Sequence, residues 1–417
     1  MKVLVIGSGA REHAICWKLK QSPRLQELYC APGNAGIAEL ATIVELNPPS
    51  PVMLALWALE NKIDLTIVGP EAPLAEGIVD VFQERGLRIF GPTKEAAQLE
   101  WSKSFAKEVM LKAGVRTAPG RVFTDADQAV AYIRSQAAEL VIKADGLAAG
   151  KGVVVTDSIA QAISVTQDML SGNAFGSAGS KVVIEEKIQG REASVIAIVD
   201  GEVVLPLAVS QDYKRLGVGN SGPNTGGMGA ISPTPVFAEE RLEEIVAEVF
   251  VPVLAELKAR GIIFKGFLYA GLMIDPQGKA WVLEFNCRLG DPETEVILPR
   301  LESDLLATID AAVDGKLQTV ELRWTPKACV CIVCASRGYP RQVEDDKVIE
   351  INPEISPTIA VFHAGTRKVG ADVRSKGGRI LTVSALGQTM HEAAEKAYAA
   401  VRQVHFDGIY YRTDIGS

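Results

Sequence analysis

The chain has little of what zinc, redox or covalent catalysis would need. It carries only four histidines and six cysteines in 417 residues. The single C-x-x-C, Cys331 to Cys334, lies in the apolar run KACVCIVCASRG without a second pair, and reads as small core residues of a buried strand. Basic residues are outnumbered: 43 Lys and Arg stand against 51 Asp and Glu, a net charge of −8. No basic face is left to neutralise a phosphate backbone, which argues against nucleic acid as a partner. A small phosphorylated substrate, needing only a local cluster of donors, is not excluded. No apolar run approaches a membrane span. The opening MKVLVIGSGA reads as a buried strand entering a turn, not as a cleavable signal. The expected compartment is the cytoplasm. Internal repeats and low-complexity tracts are missing too.

What is present suits roughly three or four modules. In the first third, strands at Lys2–Ile6, Leu28–Cys30, Leu65–Val68 and Arg88–Phe90 alternate with helical stretches and end in Gly/Pro loops. That alternation argues for a parallel sheet with ligand loops at its carboxyl ends. From Pro119 the texture changes. Strands at Leu140–Lys143, Val153–Thr156, Lys181–Glu186 and Ala193–Val199 read as a small α+β lid. A helix over Glu239–Arg260 and a hairpin, Phe267–Ile274 with Ala280–Asn286, follow, and a strand-rich module closes the chain after Pro326. The fold class is multidomain α/β and α+β, with units at 1–119, 120–194, 195–325 and 326–417.

Gly7-Ser8-Gly9 after the first strand invites a dinucleotide reading, but Glu12 stands where the third glycine of G-x-G-x-x-G belongs, and the second strand ends without a ribose-binding acid. An anion at this helix N-terminus is the remaining functional reading. The run Gly146 to Gly152 resembles a Walker A loop and departs from it. Its glycines are one residue too close, Gly152 replaces Ser or Thr, and a strand follows. As a hairpin loop it is either a plain turn or a cover for a triphosphate, with Lys151 and its free N–H groups meeting phosphate oxygens. Lys143, in a strand interior where lysine is disfavoured, favours the second reading.

The strongest pattern is Trp281 to Arg288. Alternation puts Glu284, Asn286 and Arg288 on one strand face, with Leu283, Phe285 and Cys287 on the other. Glu and Asn supply hard oxygen ligands for Mg²⁺, which completes its shell with phosphates and water. Arg288 can fork onto a carboxylate or phosphate.

The segments GSGAREHA, APGNAG, GPEAPL, GPTKEAAQLE, IKADGLAAGKGV, VVIEE, SGPNTGGMGA, LEFNCRLGDPETE and VFHAGT stand in collinear order along the whole chain. They resemble the phosphoribosylamine–glycine ligase family of the ATP-grasp superfamily. The resemblance implies an N-terminal α/β domain, a B lid, a central domain and a C-terminal domain, with ATP between lid and central domain. It implies Lys103, Lys143 and the loop residues Gly146, Gly150, Lys151 and Gly152 at the phosphates. Glu185, Glu186, Lys187 and Ile188 would hold adenine mainly through backbone groups, and Glu192 the ribose. Glu284 and Asn286 would be the Mg²⁺ ligands, with Mn²⁺ as an alternative ion. Glycine and 5-phosphoribosylamine would be handled by Asp212, Lys214, Asn224, Thr225, Gly226, Gly227, Arg288, Gly290 and Asp291, and by the loops carrying Gly9, Arg11, Gly33, Asn34, Gly36, Pro70 and Glu71.

The implied chemistry is attack of the glycine carboxylate on ATP, followed by amine attack on glycyl phosphate. Arg288, Lys143 and Asp291 are the residues expected to assist it. The implied state is a monomer, with weak self-association left open. Ala10 and Trp101 stand where relatives usually carry Gly, and Leu289 where they carry Phe. Two rival readings are another ATP-grasp ligase with a different acid or amine, and a nucleotide-binding regulator without catalysis.

Overall fold

The computed structural model describes residues 1–46, 49–136, 139–146, 152–171 and 181–417. Of the expected phosphate cover, Gly146 and Gly152 are described, while Gly150 and Lys151 lie outside the described residues.

β1 (Lys2–Gly7), β2 (Glu27–Pro32), β3 (Thr42–Ile43), β4 (Leu65–Val68) and β5 (Ile89–Phe90) form a parallel sheet in the order β3-β2-β1-β4-β5. Helices α1 (Ala10–Leu19), α2 (Pro51–Glu60), α3 (Glu71–Glu76) and α4 (Ile78–Gln83) accompany it, and α5 (Gln98–Trp101) and α6 (Lys103–Lys112) lead onward. Val3, Leu4 and Val5 are fully buried, as an unbroken apolar run must be in a parallel sheet covered on both faces. The strand order reverses at β1, so the loops after β1 and β4 border a crevice at the switch point.

The unit expected as a lid contains β6 (Gly120–Phe123), α7 (Ala126–Ser135), β7 (Leu140–Ala144), β8 (Val153–Thr156), α8 (Ile159–Leu170) and β9 (Val182–Glu186), its sheet ordered β6-β9-β7-β8. It has a small core of its own around Ile133, Leu140, Ile142, Met169 and Ile184. β10 (Arg191–Asp200) is not a lid strand, contrary to the sequence expectation for 193–199. It pairs with β16 (Lys265–Ile274) from Arg191–Ile274 through Asp200–Lys265. Ten paired residues outweigh any lid contact, and the chain leaves the lid between Glu186 and Arg191.

The central sheet runs β11 (Val204–Pro206), β10, β16, β17 (Ala280–Asn286). Between β11 and β16 come β12 (Gln211–Asp212), β13 (Arg215–Gly217), β14 (Ser221–Asn224), β15 (Gly229–Ser232), α9 (Leu242–Ile245) and α10 (Val251–Ala259). The expected single helix over 239–260 is interrupted: a 3₁₀ turn opens it, and a π-turn at Val246–Phe250 separates α9 from α10. Pro252 lacks the N–H that would bond four residues back, and the wider turn accommodates it.

α11 (Thr294–Arg300) and α12 (Leu305–Val313) lead to the last module. It holds β18 (Ala328–Ala335), β19 (Glu350–Ile351), β20 (Ile359–His363), β21 (Thr366–Val369), β22 (Asp372–Ser375), β23 (Arg379–Gly387), α13 (Met390–Val401) and β24 (Val404–His405). Its main sheet is β12-β15-β18-β23-β20, so residues 211–232 leave the central unit and complete the C-terminal sheet. Among the described residues no helix is long and apolar enough to cross a membrane.

Candidate active site

β17 carries the polar face. Its ladder with β16 pairs Gly271 with Glu284 and Leu272 with Val282, leaving Leu283 as the extra residue of a bulge. The bulge shifts the alternation expected from sequence. Val282, Phe285 and Cys287 are buried, while Leu283 is half-buried and outside the apolar set. It also frees the Leu283 carbonyl from the ladder, and Lys143 Nζ donates to it at 2.9 Å across the lid boundary. Glu284, Asn286 and Arg288 keep their common face.

Arg288 is clasped by acids. Its Nη2 lies 3.0 Å from both Asn286 Oδ1 and Glu100 Oε1, and its Nε 3.4 Å from Glu71 Oε2. Burial pushes the Glu71 carboxyl up, but Arg288 and then Arg11 pull it below its ordinary value. Glu100, which is buried, is pushed up by that burial and also accepts the Cys287 amide at 2.7 Å. Burial would likewise raise Glu284, yet Lys214, Lys103, Lys143 and Arg288 draw it down to about 2. One carboxylate ringed by four cations fits a site for a polyanion together with its counter-cation. The donor set, a carboxylate and an amide oxygen, is hard and sparse, as suits Mg²⁺.

In β9, Glu185 is only 4% exposed. Its Oε1 meets Lys107 at 2.8 Å and its Oε2 Lys143 at 2.6 Å. Lys107 also donates to the Thr117 hydroxyl and the Ala118 carbonyl. Of the backbone groups expected to hold adenine, the Glu186 amide bonds Pro119 and the Lys187 amide bonds Glu139, each at 2.8 Å. Ile188 has no such commitment among the described residues, and Glu192 is exposed at the start of β10. Gly152 closes the hairpin base by accepting the Ala144 amide at 2.8 Å.

The first Gly loop is organised around Glu12. Its Oε2 accepts the Gly9 amide at 2.6 Å and the Ser8 amide at 3.2 Å, and its Oε1 accepts Arg11 Nε at 2.5 Å. The helix N-terminus read as an anion site is therefore capped from within. A Cβ on Gly7 or Gly69 would stand 2.4 or 2.2 Å from Glu12 atoms, which explains why both are glycine. Asn34 is equally committed. Its Nδ2 donates to the Ser8 and His363 carbonyls, and its Oδ1 accepts the Gly36 and Ile37 amides. Gly36 lets the rings of His13 and His363 approach, and Gly33 takes φ +68°. Burial holds both imidazoles neutral, His13 down to about 3 and His363 to about 4. The switch-point crevice is a cavity of about 420 Å³, bordered by Gly9, Arg11, Pro70, Asp291 and an apolar wall including Val44 and Leu54.

Near Asp291 the chain gathers a cluster of acids, with Glu293 buried and Asp212 half-buried. Glu293 Oε1 accepts the Ser194 hydroxyl at 2.8 Å, and Ser194 Oγ lies 3.1 Å from the Tyr269 hydroxyl. Burial, then Glu293, raises the Asp212 carboxyl well above its usual range, and its Oδ1 has no protein partner among the described residues. A Cβ on Gly227 would sit 2.7 Å from that oxygen, and one on Gly290 2.3 Å from Glu293 Oε2. Lys214 Nζ lies 3.4 Å from Glu284, joining this cluster to the β17 face. Thr225 Oγ1 bonds the Lys214 carbonyl, whereas Asn224 is exposed. The C-terminal module closes the far side. Arg379 donates to the Gly226 and Asp291 carbonyls at 2.7 and 2.8 Å and pairs with Asp291 Oδ1 at 3.1 Å, and the Tyr339 hydroxyl accepts the Gly226 amide.

Lys107, Glu100, Glu293, Tyr269 and Arg379 thus join the site without having been singled out in the sequence. Glu100 and Glu293 lay inside quoted motifs, and Lys107 interrupts an otherwise buried helix face. Arg379 gave no signal, since its partners are far off in the chain. Of the departures, Ala10 is the first residue of α1 and fully buried, and Leu289 is buried core. Trp101 packs on the edge of the main core with Nε1 directed to the Lys94 carbonyl. Cys331 and Cys334 point to opposite sides of β18 into different cores, so they cannot share a metal.

Three family descriptions cover nearly all of the chain: the phosphoribosylglycinamide synthetase N domain at residues 1–100, its ATP-grasp (A) domain at 101–294 and its C domain at 329–417. The phosphoribosylamine–glycine ligase of Vibrio cholerae is 50% identical over 420 residues, covering 100% of this chain and 98% of that protein. That of Pseudomonas aeruginosa is 49% identical, with 100% and 97% covered. The crystal structure of the Thermotoga maritima ligase superposes with a TM-score of 0.87 at 35% identity over 99% of this chain and 100% of that one. A biotin carboxylase domain from Hydrogenobacter thermophilus, crystallised with MgADP, shares the fold at 17% identity and TM-score 0.76, with 98% and 91% covered.

Proposed function

The chain belongs to the phosphoribosylglycinamide synthetase family, and from that premise we propose that it ligates glycine to 5-phosphoribosylamine, forming glycinamide ribonucleotide, ADP and phosphate. The observation that carries this reading is the continuity of the site. The β17 face, ringed by Lys143, Lys214 and Arg288, is linked by the Lys214–Glu284 contact to the acids Asp212 and Glu293, and Arg379 lies near both Asp212 and Asp291, which borders the switch-point crevice.

ATP would lie between lid and central sheet, with Lys103 and Lys143 at its phosphates, Glu186 to Ile188 along its base and Glu192 at its ribose. Lys143 is aimed by the Leu283 carbonyl and Glu185. Glu284 and Asn286 would hold Mg²⁺ or Mn²⁺, which neutralises and orients phosphate oxygens when bound. Among the described residues no group of three or more His, Cys, Asp or Glu side chains could hold a metal, so the ion's remaining ligands would be phosphates and water. Arg288, kept charged by Glu100 and Glu71, would orient the glycine carboxylate beside the transferred phosphoryl group. Asp212 and Glu293 are acids suited to the glycine ammonium. The loops of Gly9, Arg11, Pro70 and Glu71, with Asp291 and Gly290, would border phosphoribosylamine; Gly33, Asn34 and Gly36 support them from behind. No nucleophilic side chain is needed, because the substrate carboxylate is itself the nucleophile. We place the enzyme in the cytoplasm as a monomer.

The test is product formation. With ATP, glycine and phosphoribosylamine generated in situ, mass spectrometry should find glycinamide ribonucleotide and equimolar ADP. Product with another acid or amine but not these would mean a different ligase of the superfamily. Nucleotide binding without any product would favour the regulatory reading.

A further inference from the structure

The lid touches the rest of the chain at a point that none of these roles uses. Asp145 follows β7 directly, two residues beyond Lys143. Its Oδ1 accepts the Ser104 amide at 2.5 Å, its Oδ2 lies 2.9 Å from the Ser104 hydroxyl, and the Ser102 hydroxyl is 3.3 Å from each oxygen. Ser102 and Ser104 flank Lys103 at the start of α6. The first amides of a helix have no acceptor within it, and an N-cap side chain serves the second or third. Here two domains divide that task. Ser102, the N-cap, accepts the Phe105 amide at 3.2 Å, and the neighbouring Ser104 amide goes to a carboxylate from the lid. That carboxylate also sits at the positive end of the α6 dipole.

We propose that Asp145 is a positioning residue that latches the lid onto α6 and so registers Lys143 and Lys103 against the same triphosphate. The proposal rests on the assignment of those two lysines to ATP. Lys143 rides on β7 and Lys103 on the first turn of α6; Asp145 joins these two elements at the end that carries Lys103, while Glu185 bridges them further along through Lys143 and Lys107. When the lid lifts, the Ser104 amide returns to water and the two ammonium groups lose their mutual register. When it docks, capping the helix and aligning the lysines are one event.

The test uses the full-length enzyme. In Asp145→Ala the KM for ATP should rise roughly tenfold, equivalent to about 1.4 kcal/mol, with kcat reduced and the KM for glycine unchanged. Asp145→Asn, which keeps an acceptor but not the charge, should fall between. Ser104→Ala, a milder change, should raise the ATP KM less, and the double variant Asp145→Ala/Ser104→Ala should be no worse than Asp145→Ala alone, because both act through one contact. An unchanged ATP KM in Asp145→Ala, strictly additive effects, or an equal rise in every KM with a lowered melting temperature would each overturn the latch. Lys143→Met and Lys103→Met run in parallel separate the two levels. If they weaken ATP binding while Asp145→Ala does not, the latch alone is wrong; if they too leave it unchanged, the ATP site is misplaced and the latch falls with it.

Discussion

Replacing Glu185 with glutamine probes the hinge where the lid, α6 and β17 meet. Glu185 is 4% exposed and holds one ammonium group on each oxygen, Lys107 at 2.8 Å and Lys143 at 2.6 Å. Glutamine keeps the shape and a single acceptor but removes the charge shared by both lysines. Removing one member of a buried ion pair costs about 3–5 kcal/mol, because the remaining charge is left uncompensated. Glutamine retains one hydrogen bond, so the lower end, about 3 kcal/mol, is expected. If that is expressed wholly at the nucleotide site, it corresponds to an affinity loss of roughly a hundredfold. Calorimetric titration with Mg²⁺ and a non-hydrolysable ATP analogue reads it directly. Acid dependence supplies a second signature. Burial raises this carboxyl, but Lys143 and Lys107 outweigh it, and the folded pKa lies below the ordinary value. Its stabilisation is therefore complete above an unfolded pKa of about 4.3 and is lost as pH falls through the lower folded value. Below about pH 4.3 the wild-type hinge should weaken steeply and that of Glu185→Gln less so. Wild-type affinity in the variant, together with an unaltered acid limb, would refute the assignment of Glu185 as the anchor of Lys143.

Other perturbations separate the parts of the site. Glu284→Gln and Asn286→Ala should each abolish ligation and shift the Mg²⁺ titration to higher concentration; an unchanged metal response with normal turnover would remove them as ligands. Glu12→Ala strips the cap from the Ser8 and Gly9 amides and the partner from Arg11, a loss of about 3 kcal/mol. It should lower the thermal midpoint and raise the KM for phosphoribosylamine while sparing that for ATP, and the reverse pattern in the two KM values would contradict the placement of the crevice. Cys331→Ala/Cys334→Ala should destabilise the C-terminal module by about 1 kcal/mol per buried group, with no zinc by metal analysis of either protein; stoichiometric metal lost with the double variant would show a site instead of core.

Much of this architecture is legible one residue at a time. The alternation of Glu284, Asn286 and Arg288 needs only the period of a strand, and the unbroken apolar run of β1 needs only a sheet buried on both faces. The bulge at Leu283 was not legible, because one extra residue in a ladder is fixed by the partner strand rather than by local composition. Glu12 reads in the sequence as a missing glycine; its bonds to the Ser8 and Gly9 amides are local, but the room it occupies is left by Gly69, more than fifty residues away. Residues 193–199 form an apolar run that suits a lid strand as well as a central one, and pairing with β16 decides between them. The passage of 211–232 into the C-terminal sheet, and with it the grip of Arg379 on Asp291, arises from tertiary contacts that no short window of sequence contains.

The most direct test of the central claim follows an oxygen atom. If glycine carboxylate attacks the γ-phosphorus of ATP at the β17 face, one carboxylate oxygen must leave with the phosphate when the amine takes the acyl group. The enzyme supplied with glycine labelled with ¹⁸O in both carboxylate positions should release inorganic phosphate carrying one ¹⁸O per molecule of ligated product. Unlabelled phosphate alongside normal product would mean that the carboxylate is never phosphorylated, and the β17 face could not be the place where glycyl phosphate forms.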